Sequence, residues 1–153
     1  MRWYLGLSAA LFAFAIAVAP AAAQQTQPPA APASLLAPAD EYFGHFRLSV
    51  LGISNTIRLA VQRLESGSDP HAVCEGSLAF ASDSIAAWEQ AFPRDPAIPR
   101  DLLALERAYL IAPSDEARAH ALAIESWILR DYAGSDVARM AEAELAGPEA
   151  ARR

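Results

Sequence analysis

From Asp40 onward the apolar positions fall at helical spacing. Phe43, Phe46, Val50, Ile53, Ile57, Ala60 and Leu64 recur at steps of three and four until Ser66-Gly67-Ser68 ends the run. This stripe predicts a first helix of about 25 residues. Gly44 and Gly52 lie two turns apart on it with Leu48 between them. Because glycine costs roughly 1 kcal/mol against alanine inside a helix, the pair implies close approach of a neighbouring helix, or else a groove for a ligand. Asp69-Pro70 supplies an N-cap and a proline for the first turn of a second helix. Its stripe is Cys74, Leu78, Ala81, Ile85, Trp88 and Phe92, and Pro93 stops it.

A third helix is expected after Pro99, carrying Leu102, Leu103, Leu105, Tyr109 and Leu110 to a break at Ala112-Pro113. Ser114 caps the fourth, and Asp115 and Glu116 sit where the helix dipole favours acids. Ala117, Ala121, Ile124, Ile128 and Tyr132 form its inner face. A fifth, short helix follows Gly134-Ser135, with Val137, Ala138, Ala141 and Leu145 inward and Gly147-Pro148 closing it. The pattern therefore predicts an all-α bundle of about five helices over residues 39–147, with a disordered tail at 148–153.

The segment before Asp40 reads differently. Arg2 is the only charge ahead of an apolar run from Leu5 to Val18, and Ala21-Ala22-Ala23 precedes Gln24-Gln25. This is the layout of a secretory signal peptide over residues 1–23, since about 14 apolar residues fall short of the roughly 20 that span a bilayer. Residues 24–38 are proline-rich and uncharged, as expected of a flexible leader. Within it, Leu35-Leu36 is more simply read as linker than as a docking element. Removal of residues 1–23 leaves 130 of the 153 residues and moves the net charge from −6 to −7, because Arg2 goes with them. The predicted location is therefore the periplasm or the exterior, with no stable membrane span after cleavage.

Composition narrows the function. All 12 cationic side chains are arginine, against 18 acidic ones, so no basic surface for nucleic acid is expected. One cysteine cannot staple the fold internally, and stability must come from helix packing. Cys74 lies on the core stripe and is read as a buried small hydrophobe.

Two segments superpose at an offset of 40 residues: Trp88 on Ile128, Phe92 on Tyr132, Asp95 on Ser135 and Leu105 on Leu145. Each reads as a helix ending on an aromatic, a short break with a capping residue, and a second helix. Ala121-Leu122 through Ile128-Leu129-Arg130-Asp131-Tyr132-Ala133-Gly134-Ser135 to Ala138 and Ala141 resembles a tetratricopeptide repeat. The likeness is to repeats of exported envelope proteins such as the Tol-Pal system coordinator and the outer-membrane barrel-assembly lipoprotein. Phe92-Pro93-Arg94-Asp95-Pro96 is the earlier copy. The resemblance covers residues 75–147 and implies two helical hairpins acting as a protein-binding scaffold. It departs from the family around Leu102 to Tyr109, where the usual tryptophan and glycine are missing, and only two copies are present. Glu41-Tyr42-Phe43-Gly44 with Ser49-Val50-Leu51-Gly52-Ile53 is also similar to segments of exported bacterial proteins, a likeness that carries no chemistry.

Catalytic patterns are nearly absent. Glu41 with His45, and Glu116 with His120, are spaced to share a helix face, as two metal ligands would, but no third ligand is indicated, so ordinary surface pairs are expected. His71 falls in the first turn of the second helix. There is no Gly-rich phosphate loop, Gly-x-Ser-x-Gly elbow or Cys-x-x-Cys. Neither an enzyme nor a cofactor or metal site is expected. The reading is an interaction module for an envelope protein or peptide, with Trp127, Arg107, Arg118 and Arg130 as candidate binding residues, because tryptophan and arginine dominate interface hot spots; Trp127 qualifies only if exposed, and its packing between hairpins is the simpler expectation. Two alternatives stand beside it: a homodimer formed through the Phe43 to Leu64 stripe, and a small apolar-ligand binder at Gly44 and Gly52.

Overall fold

A computed structural model describes the backbone of residues 35–150 and the side chains of residues 35–144. Five helical rods follow one another: α1 (Val50–Glu65); a second rod in which α2 (Pro70–Val73), a π-helical turn (Cys74–Leu78) and α3 (Ala79–Ala91) run on without a break; α4 (Ile98–Ile111); α5 (Asp115–Asp131); and α6 (Asp136–Ala150). Among the described residues there is no strand, only an isolated antiparallel bridge between Phe43 and Leu48. The fold is all-α. The predicted signal peptide and the leader as far as residue 34 lie outside the described residues.

The first helix starts later than its hydrophobic period implies. Residues 43–48 form a hook closed by Phe43 N–H to Leu48 O (2.8 Å) and Leu48 N–H to Phe43 O (3.0 Å). Gly44 and Arg47 take positive φ (69° and 53°), which an α-helix excludes. The Ser49 hydroxyl then accepts the Gly52 N–H and caps α1. The hook buries Phe43 between Trp88, stacked at 6.0 Å, and Phe92, edge-on at 5.9 Å. Phe46, placed on the inner stripe by its spacing, instead stands half exposed and stacks on Phe80. From Val50 onward the stripe holds, with Ile53, Ile57 and Ala60 buried.

The second rod starts as its sequence signals, with the Asp69 carboxylate accepting the His71 N–H and Pro70 in the first turn. Its interior face is the predicted one: Cys74, Leu78, Ala81, Ile85 and Trp88 are all buried, and Phe92 is partly so. Each large side chain of this kind contributes about 1.5–3 kcal/mol of burial. The π turn is additional, closed by the Ala79 N–H on the carbonyl of Cys74, five residues back.

α4 occupies the middle. It packs on α1, α3, α5 and α6, and accordingly Ile98, Leu102, Leu103, Leu105, Glu106, Ala108 and Tyr109 are all buried. Ser54 on α1 donates to both oxygens of Asp101, joining α1 to the start of α4. Ser114 caps α5 by accepting the Ala117 N–H, and Ser135 does the same for Ala138 at the start of α6.

Gly147-Pro148 does not close α6, whose backbone stays helical to Ala150. Proline's φ is helical, but within a helix it forfeits one N–H bond and its ring crowds the carbonyl four residues back. The predicted disordered tail is thus helical over residues 148–150, and its last three residues lie outside the described ones, as does the side chain of Leu145. The end of the leader is also more ordered than linker composition suggests: the Ala37 N–H donates to Asp95 at 2.9 Å. No helix among the described residues is long and apolar enough to cross a membrane.

Candidate functional site

The four predicted binding residues do not form one surface. Trp127 is half-buried on α5 and donates its indole N–H to Glu89 of α3 at 2.8 Å. Tyr132 donates its hydroxyl to the other Glu89 oxygen at 2.5 Å. Trp127 thus packs between helices and is a tie across α3 and α5, not a free anchor. Arg107 on α4 grips Glu144 of α6 through Nε, 2.9 Å from both carboxylate oxygens. Arg130 folds back on its neighbour Asp131, whose carboxyl it holds below the ordinary range. Arg130, Asp131, Tyr132, Glu89 and Pro93 line one open cleft of about 460 Å³, which brings Arg130 near the Trp127 tie. Arg118 stands apart, in a cleft at the α4–α5 turn with Tyr109, Leu110, Pro113 and Asp115.

What the structure does gather is a set of histidines and glutamates on the second rod and α5. His71 Nδ1 lies 3.2 Å from Glu116 Oε2, and His120 Nε2 lies 3.2 Å from Glu75 Oε1. Donor atoms of Glu75, Glu116 and His120 all fall within 4.8 Å of one another. The third group that Glu116 and His120 lacked in sequence is Glu75, supplied by the π turn of a different helix. Tyr109, itself buried, stacks on the His120 ring with centroids 4.9 Å apart. Glu41 and His45, the other spaced pair, lie in the segment ahead of α1, where the His45 N–H is held by Asp83.

Cys74 sits beneath this cluster, 1% exposed and free. Burial first, then the charges of Glu116 and Glu75, push its thiol upward, so it stays protonated and unreactive. The expectation of a buried hydrophobe holds.

Two further features were not foreseen. Glu106 is completely buried on α4, neither carboxylate oxygen has a partner among the described residues, and burial backed by Glu144 and Glu125 pushes it up to about 7. An apolar groove of about 490 Å³ runs beside the start of α1, lined by Leu36, Ala39, Val50, Leu51 and Ala97, with Leu51 70% exposed. By contrast, the space at Gly44 is filled: an added Cβ would meet Ser84 and Asp83 at 2.6–2.7 Å. At Gly44 the predicted neighbour is present, though it approaches a hook and not a helix; at Gly52 an added Cβ would meet only Ser49 and Leu48 of its own segment, so among the described residues no helix approaches there.

Set against protein-family models, curated proteins and solved structures, the chain matches none of them.

Proposed function

We propose that this chain is a non-catalytic interaction module of the bacterial envelope, in which tetratricopeptide-like hairpins hold a docking surface for a protein or peptide. The supporting observation is the turn that recurs 40 residues apart. Phe92 N–H to Trp88 O (2.8 Å) and Asp95 N–H to Phe92 O (3.0 Å) are matched by Tyr132 N–H to Ile128 O (2.9 Å) and Ser135 N–H to Tyr132 O (3.1 Å). Corresponding side chains accept after each turn: Asp95 takes the Ala97 N–H within the turn ahead of α4, and Ser135 caps α6 by taking the Ala138 N–H. Related turns join α3 to α4 and α5 to α6, through a break at 92–97 in the first and a shorter one at 132–135 in the second. Export rests on the residues 1–23 pattern alone.

The surface best suited to a partner segment is the groove at Leu36 and Leu51, because it is open and largely apolar. The competing homodimer loses its surface, since Ile53, Ile57 and Ala60 of the proposed stripe are spent on the chain's own core. The test is affinity capture from an envelope extract with the full chain as bait, in wild-type, Leu51→Asp and Arg118→Glu forms checked for equal helicity. A partner held by wild type and Arg118→Glu but lost with Leu51→Asp supports the groove. Capture of nothing above background defeats the module.

A further inference from the structure

We propose that Glu75, Glu116 and His120 bind a divalent first-row transition cation that bridges the second rod to α5, with His71 set against Glu116 at the edge of the site. The two helices carry mirrored pairs, each with members four residues apart: histidine then glutamate on one, glutamate then histidine on the other. Four-residue spacing places both members of a pair on one helix face. The packing sets the two faces opposite each other, so each histidine meets the glutamate of the other helix at 3.2 Å.

The geometry suits a small coordination sphere. Imidazole nitrogen and carboxylate oxygen bond zinc at about 2.0–2.2 Å, which in a tetrahedron separates ligand atoms by about 3.3 Å. Both His–Glu pairs already stand near that separation. The longest span within the Glu75, Glu116 and His120 set, 4.8 Å at most, closes by rotation of carboxylates whose side chains are about half exposed.

Three features distinguish this cluster from a pair of surface ion pairs. Glu75 belongs to the π turn, an irregularity that recurs at functional sites. Tyr109 stacks on the His120 ring and holds its plane. Two carboxylates also neutralise a doubly charged ion. The mix of imidazole and carboxylate selects zinc, cobalt or nickel over magnesium and calcium, which favour oxygen alone.

The experiment is calorimetric titration of the untagged full chain with zinc chloride near neutral pH, alongside melting with and without zinc. One equivalent of zinc is expected to bind, and to raise Tm by roughly 5–10 °C at a hundredfold excess over Kd. Loss of a ligand weakens binding by at least the roughly tenfold that outer partners alone command, so Glu75→Gln, Glu116→Gln and His120→Ala each show that loss. The carboxylate variants alter exposed groups and keep the metal-free Tm. His45→Ala and Cys74→Ser bind as wild type does. No binding by the wild-type chain overturns the site. So does binding that survives Glu75→Gln and Glu116→Gln together, or that disappears with His45→Ala or Cys74→Ser.

Discussion

Glu106 makes the stability of this protein depend on pH in a direction opposite to that of an ordinary salt-bridged acid. The folded chain holds the proton up to about 7 against an ordinary value of 4.5, chiefly because the carboxyl is buried, with Glu144 and Glu125 adding to the effect. Between those values the folded state binds more protons than the unfolded chain. Stability therefore falls as pH rises through that window, and above it the full penalty applies. At 1.36 kcal/mol per unit, the shift amounts to roughly 3 kcal/mol. That is a large share of the 5–15 kcal/mol typical of a domain.

Glu106→Met removes the titration while keeping the volume close. Urea unfolding of wild type and variant at pH near 5 and near 8 isolates the effect. The variant's advantage is expected to be about 2.5 kcal/mol larger at the higher pH, since part of the window is already crossed at pH 5. Asp101 and Glu125 are also raised by burial, so the difference between the two proteins is the quantity to read, and not the profile of either. An advantage equal at both pH values refutes the assignment of a neutral buried carboxyl.

Other consequences follow from single contacts. Asp95 accepts from the Ala37 N–H, the Trp88 indole and the Ala97 N–H; Asp95→Ala strands a buried indole donor and is expected to cost about 3 kcal/mol by urea unfolding. Gly44→Ala combines a positive φ with a Cβ placed against the backbone of Ser84, whereas Gly67→Ala meets only the positive φ in open space. The first should lower Tm well beyond the second, whose cost is about 1 kcal/mol. The Cys74 thiol should react with a disulfide reagent only as the chain unfolds, tracked against helicity in urea; a rapid native reaction would contradict its burial.

The helices were legible because their signals are local. Asp69-Pro70, Ser114 and Ser135 act within one turn, and the second-rod stripe from Cys74 to Trp88 is buried as its period requires. The start of α1 was misread because Phe43 and Phe46 continue the helical spacing by coincidence. The hook has its own markers in Gly44 and in Ser49, whose hydroxyl is a stronger statement about where a helix begins than the apolar period before it. Glu106 carried a signal that went unused: it stands four residues from Leu102 and three from Tyr109, on the apolar face of a helix buried on most sides.

The functional reading was less legible, because hot-spot residue types say nothing of what already holds them. Trp127, Arg107 and Arg130 have the chemistry of anchors, yet Glu89, Glu144 and Asp131 engage them within the chain. An internal partner satisfies the same donors that a binding partner would need, so each interaction with an outside group must first break a bond already made. The histidine–glutamate cluster is the reverse case. Neither helix holds three ligands, and only the tertiary pairing of the second rod with α5 completes the set. The mirrored spacing was visible in His71, Glu75, Glu116 and His120, but a rule that seeks ligands along one helix finds two at a time.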